Sequence, residues 1–292
     1  MNSFISLPLV LVMLSGVALA FLALAYKMAA VSNCRPMAFA SVFLLTATLL
    51  SGWRVCFEAT AWGDWRLWTL GFAMGANLYI NLGLVVVVNQ LGPASVSWTL
   101  LNLSVLVPIL LAPLLLDEPF LGIDGALVAL FILMLLAMRR GIARGHDPVR
   151  GSPLRFWTLL LAMFLLNGLF QFGSKLKDTF FADGSAAGLA TLFYGSGMVL
   201  ALATHAARTR GGRFTRDEWL CGGMAGMCSG LGMLLLLHGM SLPAVVAFPV
   251  SLGIALIGGV ALTAILYRER LNTGKAVGWI LGLILIVLVV TR

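Results

Sequence analysis

Residues 82–89 read Leu-Gly-Leu-Val-Val-Val-Val-Asn, and residues 231–238 repeat this pattern as Leu-Gly-Met-Leu-Leu-Leu-Leu-His. A Pro-Ala pair follows both stretches, at 93–94 and 243–244, and a Gly-x-x-x-Gly motif precedes both, at 71–75 and 222–226. Small residues at this spacing let helices approach closely, so we predict close helix contacts at both motifs. The spacing stays near 150 residues, which is about half of the 292-residue chain. This regularity indicates an internal duplication, so we expect each half of the chain to form the same structural unit.

The composition places the chain in a membrane. Hydrophobic residues make up 61% of it and charged residues 10%, whereas about 25% of residues are charged in soluble proteins. A membrane-spanning helix needs about 20 largely apolar residues. Stretches of this kind occur near 6–26, 37–53, 67–88, 94–116, 121–138, 156–175, 187–206, 218–238, 243–267 and 271–291. The sequence therefore predicts an all-α integral membrane protein with ten transmembrane helices.

A polar segment rich in Gly, Pro and Arg at 139–153 divides the ten stretches into five and five. We therefore predict two five-helix repeats, at residues 1–145 and 146–292. Because each repeat has an odd number of spans, the second would enter the membrane inverted relative to the first. Inverted repeats are typical of secondary transporters, which bind substrate near the bilayer midplane between the repeats.

The fourth and ninth spans carry a resemblance to a known family. Residues 92–118 and 242–269 each begin with small residues, continue as a long apolar span and end in Glu118 or Glu269, and a glycine-containing last span follows. This pattern resembles the EamA-type branch of the drug/metabolite transporter superfamily, across both halves of the chain. The resemblance implies ten helices in an inverted 5+5 arrangement, with a central cavity lined mainly by helices 1, 3, 4, 6, 8 and 9 and with helices 5 and 10 at the periphery.

The net charge of +8 is explained by topology rather than by nucleic-acid binding. If ten spans are assigned, fourteen of the 19 Lys and Arg residues fall in loops on the side opposite the termini. Lys and Arg are in excess in cytoplasmic loops. We therefore predict a multi-pass protein of the plasma (cytoplasmic) membrane with both termini outside. Many ten-helix members of the resembled family have the opposite orientation, with the N-terminus inside.

Polar side chains inside the predicted spans are the candidate site. Such groups are costly in a bilayer core and usually face the bundle interior. They recur at helical spacing on the third, fourth and sixth spans, and Phe248 on the ninth span matches Trp98 on the fourth. The predicted substrate-binding residues are Asn77, Asn81, Trp98, Asn102, Asn167, Gln171 and Phe248. The alternative is that these amides only bridge helices.

Charged residues near these spans are assigned structural roles. All eleven acidic residues fall in loops or at helix ends, and Glu118 and Glu269 are expected either to neutralise nearby arginines or to fix the turns into the next helices. Lys175, near the end of the sixth span, is expected to extend its ammonium group to the membrane interface. Small multidrug pumps of the resembled superfamily have a buried glutamate in the first helix, which is absent between residues 6 and 26. This favours a facilitator or exchanger over a proton-driven pump for cationic drugs.

The predicted function is a secondary transporter that moves a small polar organic solute, an amino acid or related metabolite, by alternating access. Uncharged amides beside aromatic faces suit a zwitterion. The alternatives are a channel or pore-like facilitator and a membrane-embedded enzyme. The spacing of the His and Cys residues predicts neither catalytic residues nor a metal or other cofactor. A monomer in the lipid bilayer, with a small-molecule substrate and no nucleic acid, is the expected state.

Overall fold

The computed structural model describes residues 6–57, 64–91, 101–118, 122–142, 152–209, 213–267 and 273–290. These residues form ten helices and no strand. The helices are α1 (Leu7–Val31), α2 (Pro36–Val55), α3 (Trp65–Leu91), α4 (Leu106–Leu115), α5 (Gly122–Ile142), α6 (Pro153–Phe180), α7 (Ala186–Thr209), α8 (Arg216–His238), α9 (Ala244–Tyr267) and α10 (Thr273–Val290). The all-helical prediction is confirmed for the part of the chain described.

Local sequence signals explain several of these helix ends. Pro36 and Pro153 occupy the first positions of α2 and α6, where proline fits because no backbone donor is needed there. Thr215 and Glu218 form a capping box that satisfies the first amides of α8. Asp117 follows α4 with a φ of 53°, a left-handed conformation that ends a helix.

Five of the described helices are long and apolar enough to cross a membrane. They are Leu7–Ala29, Pro36–Val55, Pro153–Phe180, Ala186–Ala207 and Arg216–His238. Large apolar side chains such as Leu14, Leu161 and Val199 are exposed on these helices, and apolar exposure on this scale is typical of surfaces that meet other apolar material. The described chain therefore has the character of a membrane protein.

Most of the packing joins the first half of the chain to the second half. Helix α1 lies against α8 and α9, α2 against α7 and α8, α3 against α6 and α7, α4 against α6, and α5 against α10. Exchanging each helix for the one five positions later converts this set of pairs into itself. For example, the pair α1 and α8 becomes α6 and α3. The predicted boundary between residues 145 and 146 lies outside the described residues.

Glycines show the direction in which α1 runs relative to its neighbours. Ser251 of α9 faces Gly16 of α1, and Gly259 of α9 faces Ala23 of α1. The residue numbers rise together along both helices, so α1 and α9 are parallel. Gly232 of α8 faces Leu19 of α1, and Gly239, directly after α8, faces Val12 of α1. The numbers rise in opposite directions, so α1 and α8 are antiparallel. Small residues let the backbones approach closely at all of these crossings.

The same comparison gives the direction of α2, α3, α6 and α7. Helix α2 is parallel to α8 and antiparallel to α7, α3 is parallel to α7, and α6 is antiparallel to α3. The contacts that establish this are Gly222 with Val42, Gly230 with Leu50, Gly52 with Thr191, Gly197 with Leu44, Gly71 with Leu192, Gly75 with Ser196, Gly173 with Met74 and Asn167 with Asn81. Among the helices oriented in this way, α1, α3, α7 and α9 run in one direction and α2, α6 and α8 in the other. Each of α6, α7 and α8 thus opposes its counterpart five positions earlier. The close approaches predicted for 71–75 and 222–226 are confirmed.

Candidate functional site

A break in the helix that leads into α4 creates the candidate site. Residues 101–103 are helical, 104–105 form a turn, and α4 begins at Leu106. Pro108 has no amide hydrogen, so it cannot bond to the carbonyl of Ser104 four residues earlier. That carbonyl accepts instead from the amide of Val107 at 3.0 Å. The interruption therefore lies one turn before Pro108.

The break leaves the Leu101 carbonyl available to side chains, because the amide of Val105 bonds to Asn102 at 3.4 Å. The Ser104 hydroxyl donates to the Leu101 carbonyl at 2.5 Å. The Asn167 amide nitrogen on α6 donates to the same carbonyl at 3.2 Å. Irregular backbone is thus stabilised by side chains from a neighbouring helix, as membrane-embedded irregular backbone requires.

Ser104 is the centre of a hydrogen-bond network between three helices. Its hydroxyl accepts from the amide nitrogens of Asn167 at 2.6 Å and Gln171 at 3.2 Å. With the bond to Leu101, these contacts use the one donor and both acceptor positions of the hydroxyl. Asn81 on α3 donates its amide nitrogen to the Asn167 carbonyl oxygen at 3.3 Å. We call this interface of α3, α4 and α6 the polar seam.

The polar seam leaves several buried oxygen atoms without a hydrogen-bond partner among the described residues. They are the amide carbonyl oxygens of Asn77, Asn81 and Gln171 and the hydroxyl oxygen of Ser174. Asn81 and Ser174 are almost completely buried. An unpaired buried polar group costs about 1–3 kcal/mol, so four of them in one region make the polar seam the candidate binding site.

Lys175 closes one end of this region. Its ammonium group lies 2.5 Å from Glu118 and 2.9 Å from the carbonyl oxygens of Met240 and Leu242. The other carboxylate oxygen of Glu118 accepts from the Ala244 amide, at the first residue of α9, at 2.9 Å. The expectation that Lys175 reaches the interface is wrong, because its side chain is 4% exposed. Glu118 thus joins α6 to the start of α9, whereas the turns expected after Glu118 and at Glu269 lie outside the described residues.

A second ion pair, between α2 and α8, lies outside the polar seam. Arg35 donates from Nε to one Glu218 oxygen at 2.7 Å and from its terminal nitrogen to the other at 2.9 Å. The bidentate carboxylate raises the pKa of the Arg35 guanidinium. Burial, with the neighbouring sulfur of Cys221, raises the pKa of Cys34 to about 11, so this thiol is protonated at neutral pH. The ion pair of Arg35 with Glu218 fixes the start of α8, and both side chains have hydrogen-bond partners.

The structure brings together three of the predicted site residues, Asn81, Asn167 and Gln171, through Ser104. Asn77 lies one turn from Asn81 on the same face of α3. Asn102 adjoins the break, and Phe248 is buried within the hydrophobic core. Trp98 lies outside the described residues. Ser104 was not predicted, and the only signal for it was its position four residues before Pro108.

The interface of α1, α8 and α9, which we call the apolar seam, has the same packing as the polar seam. Gly16 faces the Ser251 carbonyl and Ile254, just as Gly168 faces the Ser104 carbonyl and Val107. The hydroxyls of Ser15 and Ser251 are hydrogen-bonded at 3.0 Å. This bond is equivalent to the one between Asn167 and Ser104 in the polar seam. The glycine contacts also fix which residues of equivalent helices correspond. Gly16 and Gly168 relate α1 to α6, and Gly71 and Gly222 relate α3 to α8. In this register Asn81 corresponds to Gly232, Asn77 to Cys228, Gln171 to Leu19 and Ser174 to Leu22.

Comparison with known proteins supports the fold only. No family model matches this chain, and no curated protein matches it. A crystal structure, described only as that of a protein, aligns with a TM-score of 0.74 at 15% sequence identity, over 96% of this chain and 94% of that one. At this identity the alignment speaks for architecture and not for activity. The chain therefore shares its overall fold with a protein of known structure along almost the full length of both.

Proposed function

We propose that this protein is a secondary transporter that moves a small polar organic solute by alternating access, and that the polar seam contacts the solute. The observation that carries the proposal is the broken helix at Ser104, surrounded by buried oxygen atoms without partners. Transporters of inverted-repeat construction bind substrate at discontinuous helices near the midplane, where unwound backbone and polar side chains are available. The solute we propose is an amino acid or a related metabolite.

Two features of the packing support ten membrane crossings in two inverted repeats. The helix pairs map onto one another when each helix is exchanged for the one five positions later. The directions of α1, α2 and α3 are each opposite to those of α6, α7 and α8. Both features are expected for two five-helix units related by a two-fold axis in the membrane plane, and ten crossings account for the alternation of directions.

The location of the solute between the repeats follows from the same arrangement. The polar seam joins α3 and α4 of the first unit to α6 of the second, so rocking one unit against the other would change the space around Asn77, Asn81 and Gln171. The resemblance to EamA-type transporters agrees with these helices lining a central cavity. The charge distribution supports a plasma-membrane protein with both termini outside.

Counterflow in liposomes tests the proposal. Purified protein is reconstituted in vesicles loaded with a mixture of unlabelled amino acids and related metabolites, and uptake of single labelled compounds is followed. We expect transient accumulation of at least one compound, with a rate that saturates with its concentration. Empty liposomes and the Asn167→Leu variant, which loses three hydrogen bonds of the polar seam, are expected to show none.

Two other outcomes would favour the alternative classes. Uptake that rises linearly with concentration and shows no counterflow would indicate a channel or pore. Chemical conversion of a loaded compound without its movement would indicate a membrane-embedded enzyme. Absence of both movement and conversion for the whole mixture would contradict the proposed transport of these solutes.

A further inference from the structure

The unpaired atoms of the polar seam share one chemical property, since the three amide oxygens are acceptors only. The fourth, the Ser174 hydroxyl, can also accept. A carboxylate or phosphate placed among them would set its own acceptor oxygens against these acceptor oxygens, with no hydrogen to form a bond. A hydroxyl brings one donor, whereas an ammonium group brings three donors and no acceptor. The set is therefore complementary to an ammonium group.

These atoms lie close enough together to act on one group. Asn81 bonds to Asn167, and Gly173 faces Met74, so α3 and α6 run antiparallel along this interface. One turn from Asn81 towards Met74 is Asn77, and one turn from Asn167 towards Gly173 is Gln171, with Ser174 a further turn along the same face. A helical turn rises 5.4 Å, so Asn77 is level with Gln171, and Ser174 lies about one turn further along α6.

The nearest ammonium group of the protein itself does not supply the missing donors. Lys175 follows Ser174 directly, and its three ammonium hydrogens match three acceptors, which are Glu118 and the carbonyl oxygens of Met240 and Leu242. Its charge is balanced by Glu118 at 2.5 Å. Among the described residues, the nearest ammonium group is thus already used, and we take a ligand to be the source of the missing donors.

We propose that the oxygen atoms of Asn77, Asn81, Gln171 and Ser174 form a recognition site for a primary ammonium group. This inference rests on the proposed transport function and deepens it, because it assigns one end of the solute to these atoms. Recognition depends on N–H donors and not on charge alone, since none of the four side chains is a carboxylate. Quaternary ammonium ions, which have no N–H, are excluded.

Thermal unfolding of the detergent-purified protein tests this site without requiring transport. The probes are n-butylammonium chloride, tetramethylammonium chloride and sodium butyrate at equal ionic strength. A ligand that binds only the folded state raises stability in proportion to ln(1 + [L]/Kd). We expect butylammonium alone to raise the melting temperature. An equal shift with tetramethylammonium or butyrate, or no shift with any probe, would overturn the ammonium site, while counterflow would still decide the transport proposal.

Two changes at one residue give effects of opposite sign. Gln171→Leu removes an acceptor and is expected to weaken butylammonium binding by at least tenfold, because a hydrogen bond to a charged group is lost. Gln171→Glu places a carboxylate there and is expected to tighten binding. Ser15→Ala in the apolar seam is the matched control and should leave binding unchanged. Unaltered binding in both Gln171 variants, or equal loss in Ser15→Ala, would contradict the assignment.

Discussion

The polar and apolar seams have equivalent helix packing and different side chains at equivalent positions. In both, a glycine of the first helix of one unit faces a carbonyl in the fourth helix of the other. In the apolar seam the equivalents of Asn77, Asn81 and Gln171 are Cys228, Gly232 and Leu19, and they pack without leaving unpaired oxygen. Two interfaces with similar packing thus differ, because the apolar seam is closely packed and the polar seam is incompletely hydrogen-bonded. We infer that packing is common to both interfaces, while recognition is confined to the polar seam.

The largest effect is expected at the closed end of the polar seam, where the apolar seam has Ala23 in place of Lys175. Lys175→Met removes the partner of the largely buried Glu118 and should destabilise the protein by about 3–5 kcal/mol, the usual cost of an uncompensated buried charge. Chemical denaturation in detergent measures this change. Adding Glu118→Gln should restore much of the lost stability. Asp178→Asn, at a partly exposed carboxylate 3.8 Å from Lys175, should cost less than about 1 kcal/mol.

The next effect should be equal in the two seams. Gly16→Val and Gly168→Val each insert a side chain where a Cβ would already lie 2.6 Å or 2.8 Å from a facing carbonyl oxygen. Overpacking of this kind costs about 1–3 kcal/mol. Melting temperatures of the two variants should fall by similar amounts. Gly83→Ala is the control, because nothing lies within 4 Å of its added Cβ, and it should raise stability by about 0.5–1 kcal/mol. A large loss in only one of the two valine variants would show that the seams are not equivalent.

Gln171→Leu should separate stability from function. The substitution gives the polar seam the side chain of the apolar seam and removes an unpaired buried acceptor, which costs about 1–3 kcal/mol to bury. It also removes one hydrogen bond to Ser104, so we expect a net stability equal to that of the wild type or about 1 kcal/mol higher. Transport should be lost. Thermal unfolding and counterflow on the same preparation measure both quantities, and a strongly destabilised variant would contradict the unpaired state of this oxygen.

The smallest effect is expected for Ser15→Ala. It removes the single hydrogen bond to Ser251 in the apolar seam, and interhelical hydrogen bonds in membrane proteins average about 0.6 kcal/mol. Transport should remain at the wild-type rate, because the proposed recognition atoms all lie in the polar seam. A rate reduced by half or more would assign a functional role to this interface.

The sequence predicted the helices well because their cause is local. Ten apolar stretches correspond to ten described helices, since continuous hydrophobicity is a property of neighbouring residues. Closely spaced glycines likewise predicted where helices approach one another. The repeated stretches at 82–89 and 231–238 suggested that Gly83 and Gly232 are equivalent, but Gly232 packs on Leu19 while nothing lies near Gly83. The packing register is set by Gly71 and Gly222 instead.

The candidate site was only partly predictable because it depends on partners far apart in the chain. Helical spacing placed Asn77 and Asn81 on one face, and Asn167 and Gln171 on another. It did not indicate that Ser104 would join them, because nothing in the spacing distinguishes Ser104 from Ser95 and Ser97 in the same predicted span. The burial of Lys175 was missed for the same reason, since its partners come from the end of α4 and from the connection between α8 and α9.

Counterflow of a labelled solute by Gln171→Leu, compared with Ser15→Ala, is the most direct test of the difference between the seams. The melting temperature of each preparation is measured first, so that loss of fold is distinguished from loss of transport. We predict that Gln171→Leu is as stable as the wild type and shows no counterflow, while Ser15→Ala keeps the wild-type rate. Equal transport by both variants would contradict the assignment of solute recognition to the polar seam.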